Sequence, residues 1–559
     1  MQISAREFFD GVLDPGSFRS WDRDPIGIAA SPKYRAELAA AAERAGTDES
    51  VLTGEGLLRG RRVAIIACEF GFLAGSIGVA AAERIVTAIE RATSAGLPLL
   101  ASPTSGGTRM QEGTVAFVQM VKIAGAVAAH KSAGHPYLVY LRNPTMGGVF
   151  ASWGSLGHMT FAEPGALIGF LGPRVYEALY DRPFPAGVQV AENLYRNGVI
   201  DGVVPVRVFR RIAHRVLNVT VSAARQAVSH DNEPHASAGA GLDAGAPRHP
   251  RTESGGSADS NPAVAHSDST APSAGDESAT RPDDSAAWRS VLVSRDPARP
   301  GIRELLRQVT DRVPLSGTGQ GEADRTVVHA LARLRGEPCV IFGHDRAGQS
   351  GENTMGPAAL REARRSMHLA AELHLPLVLV IDTVGAALSK EAEERGLAPE
   401  IARCLADLVT LDTPTVSVLL GQGSGGGALA LLPADRVLAA THGWLAPLPP
   451  EGASAIVFRD TGHAPELAAS QRIRAADLLA DGVVDRIVPE RPDAAVEPVD
   501  FSRRMVAAIA AELAGLRARP IRELEAERHL RYRRLGVRQG LRPEASPGVG
   551  LDPRRATRR

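Results

Sequence analysis

The sequence predicts an α/β protein in which one domain type occurs twice, and three observations carry that prediction. The order of elements is the same in both halves of the 559-residue chain, the signature of an internal duplication. Glycine-rich turns recur at matched places, the interval from Gly107 to Gly147 being nearly that from Gly385 to Gly426. Between the halves, residues 226–286 are rich in Ser, Ala, Gly, Asp and Pro and almost empty of large apolar groups. Such a segment cannot bury enough surface to offset its ordering entropy, so it reads as a disordered linker. The expected units are therefore 1–225, a linker 226–286, 287–515, and a basic helical tail with a frayed end over 516–559.

The elements follow in order. In the first half a strand "RRVAIIACEF" leads to a helix "SIGVAAAERIVTAIERATSAG", then "LPLLASPTSGG", a helix "TVAFVQMVKIAGAVAAHKSAGH", "PYLVYLRNPTMGG" and "EPGALIGFLGP". The second half repeats this with "EPCVIFGHDR", "PAALREARRSMHLAAELH", "LPLVLVIDTVGA", "PEIARCLADLVTLDT", "PTVSVLLGQGSGGGALA" and "GWLAPLPPEGASAI". The strands are continuously apolar rather than alternating, as expected where helices cover them. Each half closes on a related phrase, "NGVIDGVVP" and "DGVVDRIVP".

Bulk composition excludes several functions. Lys+Arg and Asp+Glu both number 63, so no net field draws the chain to nucleic acid or an anionic membrane. The three cysteines, Cys68, Cys339 and Cys404, form no C-x-x-C pair, which excludes a zinc ribbon or redox dithiol, and no bound metal is expected. The N-terminus lacks the order of a signal peptide and no uncharged run reaches membrane-spanning length. A cytoplasmic protein is expected.

Four turns carry the candidate chemistry: "SGGTRMQEG" (105–113), "TMGGVFAS" (145–152), "DTVGA" (382–386) and "GQGSGGGALA" (421–430). Glycine at a strand end permits positive φ and lets a ligand reach main-chain N–H groups near a helix start. Those groups hold an enolate or oxyanion without an ionisable side chain. Glycine there also serves tight strand–helix packing, and a single turn does not separate the two readings. Other motifs fail: G-x-G-x-x-G at 421–426 lacks the acidic residue about 20 positions on, Ser424 lacks the nucleophile-elbow pattern, and no "GK" exists for a P-loop. His158 and His442, beside apolar strand residues, read as structural.

At these residues the sequence resembles the carboxyltransferase component of acyl-CoA carboxylases. The first half resembles the bacterial acetyl-CoA carboxylase β subunit through "SGGTRMQEG", "PTMGGVFASWGSLGH" and "AEPGALIGFLGPRV". The second resembles the α subunit through "GPAALREARRSMHLAAEL", "LPLVLVIDTVGA", "EAEERG", "GQGSGGGALAL" and "PLPPEGASAI". The resemblance, over roughly 50–225 and 290–515, is to a β–α fusion of actinobacterial type. It implies two crotonase-type ββα-superhelix domains that move a carboxyl group from carboxybiotin, on a separate carrier protein, to the α-carbon of an acyl-CoA. It further implies separate biotin carboxylase and carrier chains and a homodimer or larger homo-oligomer. Carried over residue by residue, it places the acyl-CoA oxyanion hole on Gly106, Gly107, Gly147 and Gly148. The biotin hole falls on Gly385, Gly426 and Gly427, and Arg109 and Lys122 become candidates for CoA phosphate contacts.

Three departures stand out. The N-terminus cannot build the family's four-cysteine zinc ribbon, Val384 stands where the family has proline in "DTPGA", and "ALSKEAEERG" lacks the usual glycine-rich approach. None of the four lysines sits between methionines, as a biotin carrier requires. Two further readings share the pattern: a biotin-independent malonate decarboxylase β/γ pair, and a carboxyltransferase-like assembly subunit without catalysis.

Overall fold

The structure, a computed structural model, describes residues 3–28, 30–230, 284–309, 311–351 and 353–537. Each half is built on a seven-stranded sheet. In the first, β1 (Arg19–Ser20), β2 (Val51–Leu58), β3 (Arg61–Cys68), β4 (Leu99–Ser102), β5 (Tyr137–Leu141), β7 (Met159–Ala162) and β9 (Gly202–Val203) lie in that order. A separate short parallel pair joins β6 (Thr145–Met146) to β8 (Ile168–Gly169). The second half repeats the sheet with β10 (Arg312–Leu315), β11 (Val327–Leu334), β12 (Glu337–His344), β13 (Leu377–Thr383), β14 (Thr415–Gly423), β15 (Arg436–Ala440) and β16 (Arg486–Val488).

Both sheets open on an antiparallel hairpin and continue parallel. The hairpin turns Arg59–Gly60 and Arg335–Gly336 have positive φ at both residues, the backbone that matches the twist of the flanking strands. The crossover helices Val79–Ser94 and Pro357–Glu372 occupy equivalent places, and the interval from Val79 to Pro357 equals that from Leu99 of β4 to Leu377 of β13. The buried runs of β3 and β12 explain the continuous apolar pattern.

The halves share one core. Val127 of the helix Gly113–Ser132 and Leu405 of the helix Leu397–Val409 belong to the same apolar cluster. Gly125 permits that approach, because a β-carbon there meets Val409 Cγ1 at 3.1 Å. The helix spanning Met110–Ser132 is apolar enough to cross a membrane by composition, yet it is buried within this core.

The expected linker falls largely outside the described residues. The helix before it runs Val206–His230 and the helix after it begins at Asp284. The expected charged tail helix is present as Ile521–Arg534, but it is docked; Leu524, Arg528 and Tyr532 are buried. The rest of the tail, from 538, lies outside the described residues.

Candidate functional site

In the first half, the strand-end turn Ser105–Gly106–Gly107 is tied by one hydroxyl. Ser105 Oγ accepts the Gly107 N–H at 3.0 Å and donates to the Gly107 carbonyl at 3.1 Å. Gly107 sits at φ +128°, open only to glycine. Facing it, Gly147 at φ +67° brings its backbone so close that a β-carbon would lie 3.3 Å from Gly107 Cα. Gly147 and Gly148 open the short 3₁₀ turn Gly147–Val149, so their N–H groups have no acceptor within it.

The second half repeats this geometry with different residues. Thr383 Oγ1 accepts the Gly385 N–H at 3.1 Å and donates to its carbonyl at 3.0 Å, with Gly385 at φ +140°. The turn therefore needs no proline: Val384 leaves its side chain exposed, while Thr383 does the pinning that Ser105 does in the first half. Gly426 and Gly427 lie in the first turn of the helix Gly425–Leu429, where N–H groups lack intrahelical acceptors. A β-carbon on Gly427 would lie 3.4 Å from Ala386 N, so the Ala386 main chain forms the opposite wall. Behind the turn, the Asp382 carboxylate accepts the Gln422 N–H at 3.0 Å and faces Arg346 at 3.4 Å. Burial lifts its pKa above the usual range against the pull of Arg346.

The structure corrects the expected site in several places. The N–H groups of Gly106, Gly107 and Gly385 are already engaged, by the Ala74 carbonyl at 2.8 Å and by the Ser105 and Thr383 hydroxyls. In this structure these glycines shape the turns, with their N–H groups occupied by internal acceptors. By conformation, Gly425 (φ +64°) is the counterpart of Gly147, and the interval from Gly385 to Gly425 then equals that from Gly107 to Gly147. Gly148 thus matches Gly426, and Gly427 falls one residue beyond the pair.

Arg109 and Lys122 do not face a ligand. Arg109 is fully buried, with Nη2 2.6 Å from Glu49 and further bonds to Ser50 and the Ser76 carbonyl. Lys122 is buried against Glu83, and burial pulls its pKa down. Each is buried and paired with an internal carboxylate. His158 is structural as expected, its Nδ1 accepting the Tyr137 N–H at 3.0 Å.

The sequence offered Ser424 only as a nucleophile, a role its neighbours exclude. Ser424 occupies the N-cap of the helix Gly425–Leu429 but makes no capping bond, and its fully buried hydroxyl has no partner among the described residues. The hydroxyl lies 3.8 Å from where a Gly385 β-carbon would stand. Its position as the residue before Gly425, where the first half has Met146, was the available signal.

The described residues thus form two α/β domains of one type, each with a hydroxyl-pinned glycine turn at a strand end facing a second glycine-rich segment. Residues 3–208 match the carboxyl transferase domain family, and residues 277–536 match the acetyl co-enzyme A carboxylase carboxyltransferase-like family. The chain is 60% identical to the probable biotin-dependent acyl-coenzyme A carboxylase beta3 subunit of Mycobacterium tuberculosis, over 96% of this chain and 99% of that one. It is 37% identical to the acetyl-coenzyme A carboxylase carboxyl transferase subunits beta/alpha of Salinispora arenicola, over 95% and 91%. The crystal structure of transcarboxylase 12S covers 93% of this chain and 91% of its own at 19% identity and a TM-score of 0.35. The chain belongs to the acyl-CoA carboxylase carboxyltransferase family, in its fused beta/alpha form, and is the carboxyltransferase of a biotin-dependent acyl-CoA carboxylase.

Proposed function

We propose that the two turns divide the reaction between them. Gly147 and Gly148 take the thioester oxygen of an acyl-CoA, and Gly426, Gly427 and the Ser424 hydroxyl take the ureido oxygen of carboxybiotin carried by a separate protein. The observation that carries this reading is that each half presents two N–H groups at the start of a helical turn opposite a glycine turn pinned by a hydroxyl: Gly147 and Gly148 in the first and, one place further along because the Gly425 N–H donates to the Ala446 carbonyl at 2.9 Å, Gly426 and Gly427 in the second. The buried, unpartnered Ser424 hydroxyl fits a polar head group on the second-half side alone.

Carboxybiotin supplies the carboxyl group and, once that is lost, the base that removes the α-proton. The chain's part is to stabilise charge where it develops: N–H groups fixed before reaction cost no reorganisation during it. The enolate oxygen forms over Gly147 and Gly148 while the ureido oxygen is held at the second turn. We further propose that the chain works with separate biotin carboxylase and carrier chains and as a homodimer or larger homo-oligomer. The exposed apolar run Ile456, Val457 and Phe458 supports the oligomer.

The test is the reverse reaction on purified protein, with malonyl-CoA or methylmalonyl-CoA and a free biotin derivative. Formation of acetyl- or propionyl-CoA that requires biotin is the expected result. Decarboxylation without biotin points to a malonate decarboxylase instead, and a folded protein inert toward all acyl-CoAs points to an assembly subunit.

A further inference from the structure

Many buried carboxylates of this molecule are paired with a cation: Glu49 with Arg109, Glu490 with Arg299, Asp435 with Arg528, Glu83 with Lys122. Glu393 is held by neutral donors instead. It is 5% exposed and sits in the helix Lys390–Glu394, which follows the Gly385 turn directly. Its side-chain partners come from the first half. Oε1 accepts the Phe170 N–H at 2.8 Å and the Gln189 amide at 2.7 Å, and Oε2 lies 3.1 Å from the same Phe170 nitrogen.

The neighbouring charges are spent elsewhere. On its own helix, Lys390 lies 3.9 Å from Glu394, and Arg395 pairs with Glu391 and Glu322. From the facing first-half elements, Arg182 bonds the Tyr176 hydroxyl, Glu192 accepts the Gly165 N–H, and Arg196 reaches Asn193. Phe170 connects this carboxylate to the second turn, because its ring lies 2.9 Å from where a Gly426 β-carbon would stand. At the place in the first half that corresponds to Glu393, by the offset that carries Val79 onto Pro357, stands Val115. The device therefore serves one turn and not the other.

We propose that Glu393 is a positioning residue for the biotin-side turn: its carboxylate holds the Phe170 main chain of the first half, and the Phe170 ring fixes the place of Gly426. An uncompensated buried carboxylate is a costly way to make a merely structural link, whereas as an acceptor it makes bonds stronger than a neutral oxygen does. Burial lifts its pKa to about 7, partly offset by the Gln189 and Phe170 donors. Below that pH the protonated carboxyl has less capacity to accept, the Phe170 segment is held less firmly, and carboxyl transfer slows. Activity therefore carries a limb that rises with pH through about 7. This inference rests on the assignment of Gly426 and Gly427 to biotin.

The experiment compares Glu393→Gln, Phe170→Leu and Gly427→Ala with the parent full-length protein in the biotin-dependent reverse reaction, across pH values on both sides of that limb. Glu393→Gln keeps the shape but presents an NH₂ group to one of the donors. It should raise KM for the biotin derivative about tenfold, the size of one lost charge-assisted hydrogen bond, leave KM for the acyl-CoA nearly unchanged, and flatten the pH limb. Phe170→Leu, which spares the carboxylate, should raise the same KM and keep the limb. If Gly427→Ala raises KM for biotin while Glu393→Gln and Phe170→Leu leave it and the limb untouched, the role of Glu393 is overturned and the biotin assignment stands. If Gly427→Ala also leaves it unchanged, the assignment itself fails.

Discussion

Ser424 is the residue at which structure and function part most clearly. A serine at an N-cap normally accepts a helix N–H, yet this one does not, and burying a hydroxyl without a partner costs about 1–3 kcal/mol. Ser424→Ala therefore removes nothing that holds the fold together. Thermal melting should stay level or rise, while the biotin-dependent rate falls. A lower melting temperature with full activity would make the hydroxyl structural. The same scale shows what the motifs could not say. The four glycine turns were legible because φ near +128° or +67° admits little else. Which N–H groups remain free was not, since Gly107 and Gly385 lose theirs to the hydroxyls of Ser105 and Thr383. Arg109 carried no sequence sign of burial, because its partner Glu49 is remote along the chain.

At the scale of elements, the C-terminal helix Ile521–Arg534 joins both halves. Arg528 is fully buried, bonded to both Asp435 oxygens at 2.8 and 2.9 Å and to the carbonyls of Leu408, Leu411 and Thr413. Arg533 reaches across to Glu83 at 2.7 Å and Glu90 at 2.7 Å in the first half. Removing Arg528 strands a buried Asp435, a loss of about 3–5 kcal/mol. Removing Arg533 leaves Glu83 its Lys122 partner. Arg528→Ala should lower the melting temperature well below that of Arg533→Ala; equal shifts would show that the helix is held by its apolar face alone. The helix itself was readable from its charge pattern, but its docking was not. Arginine-rich, weakly amphipathic stretches look solvated until a carboxylate such as Asp435 is found beneath them.

For the whole molecule, duplication made the architecture readable: continuous apolar strands, crossover helices and two glycine turns per half follow the same order twice, and the sheets obey it. The single-residue mismatch between Gly147 and Gly426 arose because three successive glycines, Gly425–Gly427, leave the register open in sequence, and only the positive φ of Gly425 closes it. The contact between halves, with Phe170 against Gly426 and Glu393 beneath it, depends on long-range packing that no local pattern encodes. The central claim is that one half holds the acyl-CoA oxygen and the other the biotin oxygen. Gly148→Ala and Gly427→Ala test it most directly. Both residues have ordinary φ, and the new methyl groups meet Thr108 Oγ1 at 3.2 Å and Met355 Cε at 3.0 Å, contacts that side chains can relieve. Steady-state kinetics of the biotin-dependent reverse reaction should show kcat reduced in both, since each disturbs an oxyanion donor set, with crossed effects on binding. Gly148→Ala should raise KM for malonyl- or methylmalonyl-CoA and spare that for the biotin derivative, and Gly427→Ala should do the opposite. Both variants raising the same KM, or neither raising any, would contradict the division of labour between the halves.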